Sequence, residues 1–489
     1  MAWLPFFTLA YFMLGISEAA SYATPCCSGL SGHLRPNVVY PGSSAYNESL
    51  STYWALQEQV MSPSCIVMPR STEEVAAVLK ALVSRSCKFA VRSGGHGSVP
   101  GISNIESGVT IDLRRLNFTK LSSDGRLVSV GAGQNWHGVY LPLYQAGLTI
   151  PGGRDSSIGV SGSTLGGALG YVGPSTGLGC DSVVEFEVVL ADGNVVSATR
   201  SHNSDLWRAL KGGGSNFGIV TKLVFQTRPL GDIWVGTAYY PVTALEGELQ
   251  AFHDFTANPT YDTKASLMMS FAYAVDRGLL LANSYAYAEP LHMPSAFSPF
   301  YAIPNQLGNT TSITNVAAYS IDQDATSPSG FHQITFATTF TNSIQQLHDV
   351  WAEFERTTLK LGQASGTSLA VTFFPIVPSL IAASKARGGN VMGLEAPPEG
   401  LVMTVGSLSF TAAEYGVMSG LADGLLSGII EAAKRNHVHH PYIDLNHAKG
   451  SQKPFLGYGA GNYAFLKSTS QKYDPRGVFQ ALMPGGFKL

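Results

Sequence analysis

The sequence predicts an α+β protein built as a glycine-rich N-terminal domain joined to a larger antiparallel sheet backed by helices. Three observations point there. The first part of the chain alternates short apolar strands with a capped helix and glycine turns. Two separate glycine clusters, 93–97 and 152–170, keep apolar residues between their glycines. Beyond about residue 230 glycine thins out, and alternating segments at 265–274 and 333–341 accompany helical patterns at 343–361 and 411–435. The expected division is 1–20 leader, 21–60 arm, 61–230 first domain, 231–435 second domain, and 436–489 as a tail that closes the site.

In order, residues 1–20 are apolar and end in small residues around Ser17-Glu18-Ala19-Ala20, which reads as a secretory signal peptide. The segment lacks Lys and Arg, so an uncleaved anchor is the alternative reading. No later stretch reads as long and apolar enough to span a bilayer. Residues 21–60, rich in Ser, Tyr, Pro and Gly, read as an arm with little regular structure. Ser71-Thr72-Glu73-Glu74 is a capping box, and Val75, Val78, Leu79 and Leu82 continue at helical spacing. Strands are expected at 88–92, 108–113 and 127–131, and a helix across 135–146. A hairpin follows, 182–190 with 195–198 around Ala191-Asp192-Gly193-Asn194. A short helix at 205–210 and a strand from Phe217 complete the first domain.

The chain has 489 residues, 45% hydrophobic and 13% charged, with 30 basic against 33 acidic side chains. A net charge of −3 leaves no basic footprint for nucleic acid and no polybasic segment for a membrane surface, so small molecules are the natural partners. Three sequons begin at Asn47, Asn117 and Asn309 and agree with export. Cys26, Cys27, Cys65 and Cys87 suggest two disulfides that pin the arm to the first domain, the adjacent pair taking different partners. Cys180 is then odd, and buried rather than reactive.

The chemistry starts at Val91-Arg92-Ser93-Gly94-Gly95-His96-Gly97-Ser98, an apolar approach to a Gly-Gly turn that delivers one histidine. Such a turn exposes backbone N–H groups that can hold a pyrophosphate. A GxxxxGK[ST] loop and an HExxH helix are missing from the sequence, and 159–170 does not follow the GxGxxG pattern. RSGGH, then GGR with IGVSG-TLGG, then GLGCD with EFEVVLADG, then ALKGGGSNFGIVT resemble the PCMH-type FAD-binding domain. The tail, from Tyr473-Asp474-Pro475-Arg476-Gly477 to Pro484-Gly485-Gly486-Phe487-Lys488-Leu489, is similar to the berberine-bridge-enzyme-like branch. The likeness covers nearly the whole mature chain and points to secreted fungal FAD-linked oxidoreductases of secondary metabolism.

That resemblance implies roles. His96 matches the histidine bonded to the flavin 8α-methyl, a link that raises the flavin's potential. Arg92, Ser93, Gly94 and Gly95 would hold the pyrophosphate. Gly153, Gly159, Gly162, Gly166, Gly167, Ile219 and Val220 would line the flavin and adenosine, with Gly97, Ile158, Ser163 and Asn446 completing the cofactor set. Many relatives carry a second covalent link through a cysteine at the position of Asp155, so FAD is expected to be mono-covalent here. Ile158 stands where plant relatives gate oxygen, and its bulk argues against fast reoxidation by O₂.

Residues 437–447 resemble the family's strand leading to an Asn-Tyr pair over the flavin, with His447 in place of the tyrosine that serves as base in sugar-oxidising relatives. A histidine can take that role because an imidazole ordinarily titrates near working pH. If the segment is a strand, Tyr442, Asp444 and Asn446 share one face and His447 the other; Tyr442 as base and no base from this segment remain open readings. His437 and His439 at strand spacing read as a solvated loop, and no metal is expected. Phe271, Tyr273, Phe373 and Phe374 favour an apolar or aromatic metabolite. The leading reading is oxidation by hydride transfer with O₂ as acceptor; a cyclase or isomerase on the same fold and a non-enzymatic binding protein are the alternatives.

Overall fold

The computed structural model describes residues 25–30, 34, 37–362, 366–411 and 414–489; the expected signal peptide lies outside them. The N-terminal part holds two small sheets and a two-stranded ribbon pairing Leu148–Thr149 with Arg228–Pro229. In the first, the strand order is Val38–Val39, Cys65–Val67, Val109–Asp112, Phe89–Arg92. The last three run parallel, and the helix Thr72–Ser84 makes the crossover from Cys65–Val67. Ser71 Oγ caps that helix by accepting from Glu74 N at 3.3 Å. The capping box closes differently from the expected form: the Glu74 carboxylate reaches past Ser71 to accept from Arg70 N at 2.7 Å. The second sheet is antiparallel and places Ile219–Gln226 between Leu127–Gly131 and the hairpin Val183–Val189 and Val195–Thr199.

The arm is more ordered than its composition predicts. Ser43 Oγ accepts from Tyr46 N and starts the helix Ser44–Ser51, and Leu56–Gln59 follows. Tyr46, Ser49, Tyr53 and Glu58 are buried against the first sheet, so tertiary contacts override a sequence rich in turn formers. The disulfides are Cys26–Cys87 and Cys27–Cys65, and Cys180 is free and buried. All three sequon asparagines are exposed.

The second part is one nine-stranded sheet. Ala265–Ala274 pairs antiparallel with Gly278–Tyr287 and with Ser368–Ile376, which in turn pairs with Leu401–Phe410. One face of the sheet, including Leu267, Met269, Phe271, Leu369, Val371 and Phe373, packs on helices Leu245–Thr256, Ile344–Thr358 and Tyr415–Arg435. Leu347, Val350, Trp351 and Phe354 supply the matching helical stripe. Tyr415–Arg435 is, against expectation, long and apolar enough by composition to cross a membrane. Its Met418, Ala422, Leu425 and Ile429 are buried in this core instead.

The tail contains a helix, Ala460–Tyr473, whose Lys472 meets Asp205 at 2.6 Å. The expected strand over 437–447 shrinks to His439–His440, because Pro441 lacks the N–H a ladder needs and residues 445–447 form a turn.

Candidate functional site

The glycine turn is braced from behind by Arg92. Its side chain is fully buried, donates from Nη1 to Ser49 O at 2.5 Å and from Nη2 to Thr52 Oγ1 at 3.0 Å, and lies 3.6 Å from the Tyr53 ring. Nη2 also reaches Gly94 O at 3.4 Å. The guanidinium therefore supports the turn rather than facing a ligand, which corrects its expected place at the pyrophosphate and leaves the backbone of 93–95 for that purpose. Gly95 has φ +81°, and a Cβ there would meet Arg92 and Tyr53. A Cβ on Gly94 would stand 2.4 Å from Gly159 N, so the two glycine clusters touch backbone to backbone.

His96 leaves this turn and stacks on Trp54, ring centroids 4.4 Å apart and 9° from parallel. Trp54 is fixed by its own N–H to Gly95 O and by Nε1 to Ser327 O. His96 Nε2 is shielded from solvent with no hydrogen-bond partner. Burial pushes the imidazole pKa down to about 4, against the nearby Asp324 carboxylate. Ligand atoms of His96, Asp155 and Asp324 all lie within 4.8 Å of one another. Asp324 ends the helix Val316–Asp324 and accepts from Ser157 N at 2.9 Å and Ser157 Oγ at 2.8 Å. Burial, and then the Asp324 charge, raise Asp155 to about 6.

These shifts have opposite signs. Neutral His96 contributes stability at neutral pH that is lost as pH falls from its ordinary value of 6.5 toward 4. Asp155 keeps a proton in the fold that the unfolded chain releases above 3.8, so its contribution is lost as pH rises toward 6. In a His96→Ala background, adding Asp155→Asn should raise stability progressively between pH ~4 and ~7, by up to about 2 kcal/mol. Thermal unfolding of both variants checks this; a pH-independent difference would remove the assignment.

The tail supplies the other wall. Asn446 Nδ2 donates to Ser163 O at 3.0 Å, and its Oδ1 lies where a Cβ on Gly166 would be. His447 Nδ1 is 2.7 Å from Asp444 Oδ2, and the imidazole is 40% exposed. Asp444 also accepts from His447 N and from Tyr442 Oη, both at 3.2 Å. Tyr442 is buried beneath this pair, its hydroxyl also at Met392 Sδ, and cannot reach a substrate. That corrects both Tyr442 as a candidate base and the shared strand face of Tyr442, Asp444 and Asn446. His447 is near enough for its charge to act on His96 and Asp155.

Several expected lining residues have other neighbours. A Cβ on Gly153 would strike the Trp136 indole, whose Nε1 donates to Ser163 Oγ. Ile219 and Val220 are buried in two different cores. Gly97 packs on Ile102, and Gly167, at φ +119°, on Met392. Ile158 is partly buried against the central core. Phe271 and Phe373 are core residues and Tyr273 packs beside them, so of the four aromatics only Phe374 turns to the site, 6.3 Å from the His447 ring. Sequence reasoning missed Trp54, Asp324 and the site-facing guanidinium of Arg154, which lies 4.7 Å from the Phe374 ring.

A half-buried imidazole whose shielded Nε2 lacks a partner, two touching glycine clusters and open space beside Gly162 fit a flavin dinucleotide. Residues 63–199 match the family model described as an FAD binding domain. Over 481 residues the chain is 35% identical to the FAD-dependent monooxygenase sdcF of Emericella nidulans, an alignment covering 96% of this chain and 99% of that protein. The chain belongs to the FAD-dependent oxidoreductases. The fold agrees. The xylooligosaccharide oxidase of Myceliophthora thermophila superposes with a TM-score of 0.77 at 18% identity, covering 96% of this chain and 99% of that one. The glucooligosaccharide oxidase of Acremonium strictum, described with a 6-S-cysteinyl, 8α-N1-histidyl FAD, gives 0.73 at 18% identity, with 93% and 98% covered. This FAD-dependent oxidoreductase has Asp155 beside its histidine.

Proposed function

We propose that this FAD-dependent oxidoreductase carries its flavin on His96 alone and oxidises an alcohol, C–H or N–H bond of a secondary-metabolite intermediate in the secretory pathway or outside the cell. The observation that carries the reading is the His447–Asp444 pair, 2.7 Å apart, set where its charge reaches His96. FAD held there would supply a hydride acceptor, with O₂ as the terminal acceptor. With Nδ1–H donated to the Asp444 carboxylate, His447 Nε2 is left to accept the substrate proton. Tyr442 holds the second carboxylate oxygen and so fixes the orientation of the acceptor. Ser93, Gly94, Gly95, Gly159 and Gly162 present backbone to the cofactor, and Asn446 ties the tail to the helix Val160–Leu165. The two disulfides and three exposed sequon asparagines support export.

The test is anaerobic reduction of the yellow protein by candidate metabolites, followed by readmission of air. Flavin bleaching and stoichiometric H₂O₂ support oxidation; turnover without either supports a cyclase or isomerase instead. His96→Ala should lose the acid-stable flavin that survives precipitation of the parent protein. Flavin still covalently attached in that variant would remove His96 from the role.

A further inference from the structure

We propose that Gln57 is the positioning residue for His96: it pegs the turn that carries the histidine to the edge of the nine-stranded sheet, and so sets where the imidazole stands for attachment to the flavin. The proposal rests on the reading of His96 as the flavin's anchor.

His96 lies between Gly95 and Gly97, with Gly94 before them, a run of backbone with little stiffness of its own. Its placement has to come from outside the turn. Contacts on either side of the histidine supply it. Ahead of it, Gly95 O accepts from Trp54 N at 3.1 Å, and the Trp54 ring stacks on the imidazole. Beyond it, Ser98 O accepts from Gln57 Nε2 at 2.6 Å, and Ser98 Oγ meets Thr335 Oγ1 at 2.7 Å.

Gln57 is buried, and its amide is fully engaged. Nε2 also donates to Gln333 O at 2.6 Å, and Oε1 accepts from Gln333 N at 3.1 Å. Gln57 thus bonds Gln333 as a neighbouring strand would, along the edge of His332–Thr341 where the short strand His439–His440 covers only Thr339 and Phe340. Beside it, Leu56 N donates to Phe331 O at 2.8 Å and Gly330 N to Trp54 O at 3.2 Å. Residues 54–57 form a bracket between the turn at 95–98 and residues 330–335.

Gln452 separates the two duties of this amide. It grips the same strand at Ala337, donating from Nε2 to Ala337 O at 2.6 Å and accepting at Oε1 from Ala337 N at 3.1 Å. Oε1 also accepts from Lys449 N at 2.9 Å, within the tail. Gln452 therefore makes the two strand bonds of Gln57 without the bond to Ser98. Losing either amide weakens the sheet edge; losing Gln57 also frees the turn. Bond formation needs the reacting atoms held about 3–3.5 Å apart, so a freed turn slows attachment. The link replaces an imidazole N–H and one C–H of the flavin methyl by a C–N bond; the two protons go to water and the two electrons to O₂, giving H₂O₂.

The test uses the full chain produced under riboflavin limitation and incubated in air with FAD, while flavin that survives acid precipitation is followed in time. Gln57→Leu should attach flavin at least about tenfold more slowly than the parent. Gln57→Glu, which keeps an acceptor for Gln333 N but loses the paired N–H donors, should be as slow. Gln452→Leu should attach at the parental rate, although its thermal unfolding falls with that of Gln57→Leu. Parental rates in both Gln57 variants, or equal slowing in Gln452→Leu, overturn the proposal. Failure of both Gln57 variants to fold also overturns it, by assigning the amide to stability alone. A parent that binds FAD and releases all of it on acid precipitation refutes His96 as the anchor instead. The bracket is then judged by the visible circular dichroism of the bound flavin, which Gln57→Leu should alter and Gln452→Leu should not; an unaltered spectrum in Gln57→Leu overturns it. A parent that takes up no FAD refutes both readings.

Discussion

Replacing His447 with alanine should slow flavin reduction by about 10²–10⁴-fold while leaving covalent flavin in place, the range expected when a general base is removed. Its neighbours define what else must change. Asp444 accepts from Tyr442, from His447 N and from His447 Nδ1, so it orients the imidazole and selects which nitrogen is free. Asp444→Asn should therefore reduce the rate less than His447→Ala, and the two losses should not add. Stopped-flow reduction under anaerobic conditions reads both variants. An undiminished rate in His447→Ala would return the site to the reading in which this segment supplies no base.

Gly94→Val should destabilise the protein by about 3–5 kcal/mol and abolish flavin retention. The first carbon of any side chain there would stand 2.4 Å from Gly159 N and 2.6 Å from Gly159 Cα. Both obstacles are backbone, which no rotamer change can move. Gly162→Ala provides the contrast, since nothing lies within 4 Å of its Cβ position and the residue is helical. Its folding should be unharmed or improved by up to about 1 kcal/mol. Any loss in that variant should appear only as weaker flavin binding. Thermal unfolding and absorbance of the purified proteins separate the two effects. Equal stability of Gly94→Val and the parent would show that the glycine clusters do not depend on their contact.

Much of this was legible from local patterns. The helix Thr72–Ser84 and the strands Phe89–Arg92 and Ala265–Ala274 follow from caps and from alternation, which act over a few residues. Order in the arm was not legible, because Tyr53 is buried by Arg92 and Ser49 by Asp112, contacts reaching 39 and 63 residues along the chain. The site divides the same way. His96 stood out through its glycines, whereas Trp54 and Asp324 reach it from 42 residues before and 228 residues after, with no motif around either. Arg92 misled because a motif records which residue is present and not the direction of its side chain. The tail misled because a family likeness suggested a strand over 437–447, whereas the ladder ends after His440 at Pro441 and residues 445–447 turn.

The strand Ser368–Ile376 has a consequence for how this enzyme can change. Leu369, Val371 and Phe373 answer to the helices, while Ala370, Thr372 and Phe374 occupy the opposite side, with Phe374 beside Arg154 and His447. One stretch of chain thus carries two nearly separate sets of constraints in alternate letters. Drift or a designed library confined to 370 and 372 leaves the helix-packed residues untouched, whereas Phe374 belongs to a second buried core and can change only at a cost in stability.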